Sequence, residues 1–107
     1  MTTNYQVPKK LKEQLKRDSI SSQEEICGFI LRDKFIKVEN KHPESKNFFL
    51  IDPLDCIWEE GVILFHSHPD HVKEKGFSEW DLENQYYFQL DMLLYSVNND
   101  EFYFKKI

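Results

Sequence analysis

The sequence predicts an α/β fold, a single compact domain in which a mixed central β-sheet is flanked by helices. Three observations lead there. Short apolar stretches with a two-residue period, "EICGFIL" at 25–31 and "VILFHSH" at 62–68, read as strands. Segments 8–18 and 78–90 carry apolar residues at helical spacing and alternate with those strands along the chain. A length of 107 residues with 40% hydrophobic and 15% aromatic content suits one domain over 1–107, with a modest buried core.

Pro8 fits a first helical turn, and Leu11 and Leu15 repeat at helical spacing, so 8–18 is an opening helix ended by "DSISSQ". The strand period then puts Glu25, Cys27, Phe29 and Leu31 on one face, and a glutamate at the start of a buried strand needs a reason. "KFIKVEN" pairs with that strand across the turn "RDK". "NFFLID" reads as another strand, stopped by Pro53, with "KHPESK" as the intervening loop. Leu54, Ile57 and Trp58 suggest a short helix over 53–60, cut by Gly61. "VILFHSH" is apolar on both faces, Val62 and Leu64 on one and Ile63 and Phe65 on the other, as a central strand covered on both sides requires. His66 and His68 extend the Val62 face. Ser78 opens a helix to about residue 90, with Leu82, Tyr86 and Leu90 along one side. "DMLLYSV" and "EFYFKKI" close the chain as two strands joined at "NND".

Composition removes several classes of function. A net charge of -5 leaves no electrostatic footprint for nucleic acid, and the basic run at 9–17 is interrupted by Leu11, Glu13 and Leu15 as the polar face of a short helix would be. The longest clean apolar run, 62–65, is far too short to cross a bilayer. The N-terminal "MTTNYQVPKKLKEQLKRD" has no apolar stretch ahead of a small-residue cleavage site, so no signal peptide is expected and the expected location is cytoplasmic. Cys27 and Cys56 are isolated and lack CxxC spacing, which suits buried thiols in a reducing compartment rather than a disulfide.

The chemistry concentrates in "FHSHPDHVKEKGFSEWD", residues 65–81, which holds three of the four histidines. Two histidines at i and i+2 on a strand point the same way, so His66 and His68 can both reach one ion about 2.0–2.1 Å from each ring nitrogen. They also stand at the carboxyl end of their strand, where ligands of α/β sheets usually bind. His66, His68, Asp70 and His71 spell HxHxDH, as in the metallo-β-lactamase superfamily, but that fold needs further histidine ligands downstream and none follows His71. The polymerase-and-histidinol-phosphatase type of phosphoesterase fails on the same shortage.

What remains is Glu25, then HSHP at 66–69, then Ser78 and Asp81 as S-x-x-D. In this the chain resembles the JAMM family, the MPN-plus zinc metallopeptidases, whose signature is a glutamate on an early strand, H-[ST]-H-P and S-x-x-D. The resemblance spans roughly 8–105. It is nearest to the phage tail assembly branch, through "EICGFI", "VEN" followed by "NFFLIDP", and "HSHPD". One departure is that nine residues separate His68 from Ser78, where the family usually has seven; the excess falls in "DHVKEKG", and loops absorb added length at little entropic cost. Ser78 and Asp81 also form a helix capping box in sequence, a role compatible with metal chemistry.

Residue by residue, the resemblance implies a JAMM/MPN (cytidine-deaminase-like) architecture in which His66, His68 and Asp81 bind Zn2+ and leave a fourth position for water. Zinc lowers the pKa of such a water to roughly 7. Glu25 is then implied as the base that takes its proton and passes it to the leaving amine, and Ser78 as the donor to the oxyanion. The implied reaction is hydrolysis of a peptide or isopeptide bond in a protein substrate, such as a tail protein or a ubiquitin-like carrier. Two other readings stay open: a non-catalytic MPN scaffold that binds a protein partner, and a peptidase that trims a sulfur-carrier protein. Asp70 and His71 are expected as solvent-exposed residues of the longer loop, with gating of substrate as the alternative. His42 is expected in a loop, and Cys27 as a packed thiol on the Glu25 face.

Overall fold

A computed structural model describes residues 5–107. The first helix, α1, spans Lys9–Ile20, with Pro8 at its N-cap. Leu11 and Leu15 bury one side, while Lys9, Lys10, Lys12 and Glu13 face outward. The helix runs into the expected stop because Ser19 satisfies its own hydroxyl, which donates to the Leu15 carbonyl at 2.6 Å without leaving the helix.

Five strands follow: β1 (Cys27–Leu31), β2 (Lys34–Val38), β3 (Ile63–His68), β4 (Asp91–Ser96) and β5 (Glu101–Lys105), with helix α2 (Glu79–Phe88) between β3 and β4. They form one mixed sheet in the order β2-β1-β3-β4-β5. β1 runs antiparallel to β2 and β3, β3 parallel to β4, and β4 antiparallel to β5. The β1–β2 hairpin turns on Arg32 and Asp33 alone, both left-handed at φ 51 and 63, the conformation that matches the twist of paired strands. Gly28 permits the close approach of these two strands: a Cβ there would run into the Ile36 carbonyl and sit 2.9 Å from Lys37 Cα. The parallel β3–β4 pair requires a crossover, and that connection carries α2.

The sheet is covered on both faces, so the domain has three layers. On one face, Leu11 and Leu15 of α1 pack against Ile26, Ile30, Ile63, Phe65, Leu93 and Tyr95. On the other, Phe88 of α2 joins Phe49 and Ile51 over Cys27, Phe29, Val62, Leu64 and Met92. β3 lies in the middle and all six of its residues are buried, as its doubly apolar pattern predicts.

Three expectations differ from what the fold contains. "NFFLID" is irregular and joins no sheet, because several of its backbone groups are taken by side chains. The Phe48 carbonyl accepts from Asn40 Nδ2, the Phe49 carbonyl from Trp80 Nε1, and the Leu50 amide donates to Asn40 Oδ1. The helix expected over 53–60 is only a 3₁₀ turn, Pro53–Asp55, capped by the Asp52 side chain. In α2 the Leu82 and Tyr86 side faces solvent, and Asp81, Asn84, Gln85 and Phe88 are buried instead. Asn84 and Gln85 donate to the Trp80 and Lys105 carbonyls, so the buried side is a polar one with its hydrogen bonds made.

Cys27 and Cys56 are free thiols; Cys27 is buried as expected, whereas Cys56 is only partly buried. Among the described residues no helix is long and apolar enough to cross a membrane.

Candidate metal centre

Three chain segments deliver the site. β3 carries His66 and His68 on its Val62 face at the carboxyl end of the sheet, and the antiparallel register sets Cys27 opposite His66. Glu25 therefore lies just beyond the start of β1, beside the histidines. Its backbone is fixed by the loop that follows β2: the Glu25 amide donates to the Ser45 carbonyl at 2.8 Å, and Asn40 Nδ2 donates to the Glu25 carbonyl at 2.8 Å. Asp81 arrives in the first turn of α2, held by a reciprocal capping box. Asp81 N donates to Ser78 Oγ at 3.1 Å, and Ser78 N donates to Asp81 Oδ2 at 2.9 Å.

The result is a group of four donors, Glu25, His66, His68 and Asp81, all buried, whose ligand atoms lie within 4.8 Å of one another. His66 Nε2 and His68 Nε2 each stand 3.0 Å from Asp81 Oδ2. The His68 contact is aligned as a hydrogen bond, whereas His66 Nε2 meets the same oxygen without that alignment and remains unpartnered. Glu25 Oε1 is also buried without a partner. Leaving such groups unpaired costs about 1–3 kcal/mol each, so a fold that gathers them in one place calls for a ligand.

A metal ion fits that demand. Two donors about 2.0–2.2 Å from one ion at a tetrahedral angle stand roughly 3.3–3.6 Å apart, between the 3.0 Å of the two His–Asp81 pairs and the 4.8 Å that bounds the whole group. The group could hold a metal ion. Phe49 stacks on the His66 ring, centroids 4.5 Å apart, and fixes its plane.

Burial sets the protonation of these groups. It pushes the Glu25 carboxyl up to about 10, with the nearby Asp81 and Glu74 carboxylates adding to the effect. Burial also lowers His66, which favours the neutral ring that a metal requires. For Asp81 burial acts upward, but the His66 and His68 rings outweigh it and hold the carboxyl well below its usual range. The centre thus offers neutral imidazole and carboxylate together, with a protonated acid beside them.

All five residues singled out in the sequence meet here: Glu25, His66, His68 and Asp81 in the cluster, and Ser78 adjoining it. Asp70 and His71 are exposed and outside it; His71 Nε2 donates to the Lys46 carbonyl at 2.8 Å, and the Asp70 carbonyl accepts from Asn98 at 3.0 Å. His42 sits in the loop after β2, packed on Phe48 and edge-on to Trp80. Cys27 is a packed thiol pushed up to about 12 by burial, not a member of the cluster. Sequence reasoning missed Asn40, Phe49 and Trp80, which position Glu25, His66 and the loop between them. Only the asparagine in "VEN" carried a local signal, since Asn side chains commonly bond backbone in loops.

No protein-family model matches the chain, and no curated protein is significantly similar to it.

Proposed function

We propose that this chain is a zinc-dependent peptidase or isopeptidase of the JAMM type, with the JAMM/MPN architecture. One observation carries the reading: Glu25, His66, His68 and Asp81, drawn from three distant segments, converge in one buried group with unsatisfied donors. That is the set the HSHP and S-x-x-D resemblance implies. The substrate on this reading is a polypeptide, such as a tail protein or a ubiquitin-like carrier.

His66, His68 and Asp81 would hold the ion, and zinc would supply Lewis acidity and a water of lowered pKa. Glu25 holds a proton in the metal-free group, and the positive charge of a bound ion would return it to carboxylate; in that form it would take the proton from the attacking water and pass it to the leaving amine. Phe49 keeps the His66 ring from turning. Ser78 Oγ, on the rim of the centre, is the hydroxyl available to a developing oxyanion. Its amide already holds Asp81, so the same residue orients a ligand and addresses the substrate.

Metal analysis and a cleavage assay test this together. Wild type is expected to hold about one zinc per chain and His68→Ala none. Glu25→Gln is expected to keep zinc while losing at least about 10²-fold in cleavage of a degenerate peptide library. Glu25→Gln protein as active as wild type would overturn the assigned base. Stoichiometric zinc without hydrolysis of any peptide or ubiquitin-like fusion would turn the reading to a partner-binding domain.

A further inference from the structure

β5 ends the sheet on one side, so it is paired only along its β4 side. Among the described residues no other segment's backbone bonds to it, and one side chain does, Gln85 Nε2 donating to the Lys105 carbonyl at 2.8 Å. An edge of this kind presents alternate N–H and C=O groups to any further strand. Natural edges are commonly protected by lysines, and β2 at the opposite side of the sheet follows that pattern with Lys34 and Lys37. β5 instead reads EFYFK, three consecutive aromatic residues between one acid and one base.

That order is complementary to itself. When a second copy of β5 lies antiparallel to the first and centred on Tyr103, Glu101 faces Lys105 of the other copy, Phe102 faces Phe104, and Tyr103 faces its own equivalent. The two-fold repeats the first two pairs. Side chains alternate across the strand, so both ion pairs and the tyrosines fall on the α2 face. The phenylalanine pairs fall on the α1 face, where Phe102 and Phe104 already pack on the core. Within β5 a slip by one or two residues in either direction loses both ion pairs. β2 offers no such register, since its only charges are the two lysines. Glu101 and Lys105 are exposed, and among the described residues neither belongs to an ion pair. A cavity of about 440 Å³ borders the same edge, and Tyr5, Val7, Phe77 and the three β5 aromatics help to line it. Phe77 belongs to the layer on the α2 face, and Tyr5 and Val7 to that on the α1 face. The cavity therefore runs round the open edge, with room for the rings of a second β5.

We infer that β5 is the contact surface of a two-fold homodimer, in which two copies of this chain join their sheets edge to edge through antiparallel β5 strands. Main-chain hydrogen bonds supply the attraction, aromatic pairs add to it, and the charged ends fix the register. The complementarity of the strand with itself selects a second copy over an unrelated strand. The contact lies outside the metal cluster and does not depend on the peptidase reading.

Sedimentation of the full chain over a concentration series, at low and at physiological salt, measures the assembly. Wild type is expected to dimerise reversibly. Glu101→Lys and Lys105→Glu each set like charges opposite one another at both ends of the contact. Each is expected to weaken the dimer about tenfold with an unchanged circular dichroism spectrum, the gap narrowing as salt rises. An equimolar mixture of the two variants again sets opposite charges at both ends, so a heterodimer of wild-type strength is expected, and E101K/K105E is expected to dimerise as wild type does. Amide hydrogen exchange within 101–105 should slow as protein concentration rises, and that within 34–38 should not. A wild type that stays monomeric up to about 1 mM would overturn the inference. So would a dimer indifferent to the single replacements, or one that neither the mixture nor the double replacement restores. Amides of β5 protected equally at every concentration would also overturn it, by placing a segment of the same chain on the edge instead of a second copy.

Discussion

The two faces of the sheet are made from alternate residues of the same strands and yet differ in kind. Towards α1, Ile26, Ile30, Ile63, Phe65, Leu93 and Tyr95 form an apolar layer. Its one polar contribution from β3, Ser67, is paired, because the Ile26 amide donates to Ser67 Oγ at 3.0 Å. Towards α2, the apolar layer of Phe29, Leu64 and Met92 gives way at the carboxyl end of β3 to Glu25, His66, His68 and Asp81, with several polar atoms unpaired. The first face is finished by folding alone. The second is left with buried polar atoms that lack a partner and that a bound ion could satisfy, so the apolar packing and the candidate metal group divide between the two sides of β3.

The sharpest test of that division is Phe65, which is fully buried on the α1 face and meets Phe35 edge to face at 5.2 Å. Phe65→Ala is expected to lower the unfolding free energy by about 3–5 kcal/mol. Metal affinity of the folded fraction should stay within about threefold of wild type, since the removed ring lies on the face of β3 opposite to His66 and His68. Urea unfolding with and without zinc measures both. Loss of zinc binding in a protein still folded would show that the faces are coupled after all.

This division also explains what could be read in advance. The alternation in "VILFHSH" marks a strand buried on both sides and sends His66 and His68 to one of them. Glu25 declared itself by being a charge at the head of an apolar strand. Convergence of Glu25 with Asp81 was not readable from periodicity, since a loop and a helix cap set it, and only the motif resemblance brought them together. The apolar pattern misled where side chains replaced the ladder, at "NFFLID", and in α2, where Asp81 is buried against the His66 and His68 rings and Leu82 and Tyr86 face solvent.

On the α2 face the expected signature is a pH dependence of the metal-free protein. The native state holds the Glu25 proton up to about 10, whereas an unfolded chain releases it near 4.5. The native state therefore binds more protons across that window, and stability falls as pH rises through it, levelling off below the lower value and above the upper one. A single group changes stability by at most about 1.4 kcal/mol per pH unit, so a loss of up to about 4 kcal/mol is expected between pH 5 and pH 8. Glu25→Gln, which cannot titrate, should remove that contribution. Chemical unfolding of chelator-treated protein at several pH values measures it, and parallel profiles for the two proteins would deny Glu25 its buried, unpaired state.

The smallest effect is expected where the two roles of the α2 face overlap, at Ser78. Its hydroxyl accepts from the Asp81 amide, and losing an N-cap side chain costs about 1 kcal/mol. Ser78→Ala keeps the backbone amide that donates to Asp81 Oδ2, so Asp81 should stay aimed and zinc should remain bound. Calorimetry and metal analysis of the same variant separate the cap from the centre. A stability loss near that size with full zinc content would place the hydroxyl in the helix cap and on the rim of the site. Loss of zinc together with stability would mean that the cap itself holds the metal ligand in position, and that the α2 face cannot be divided into a structural part and a chemical one.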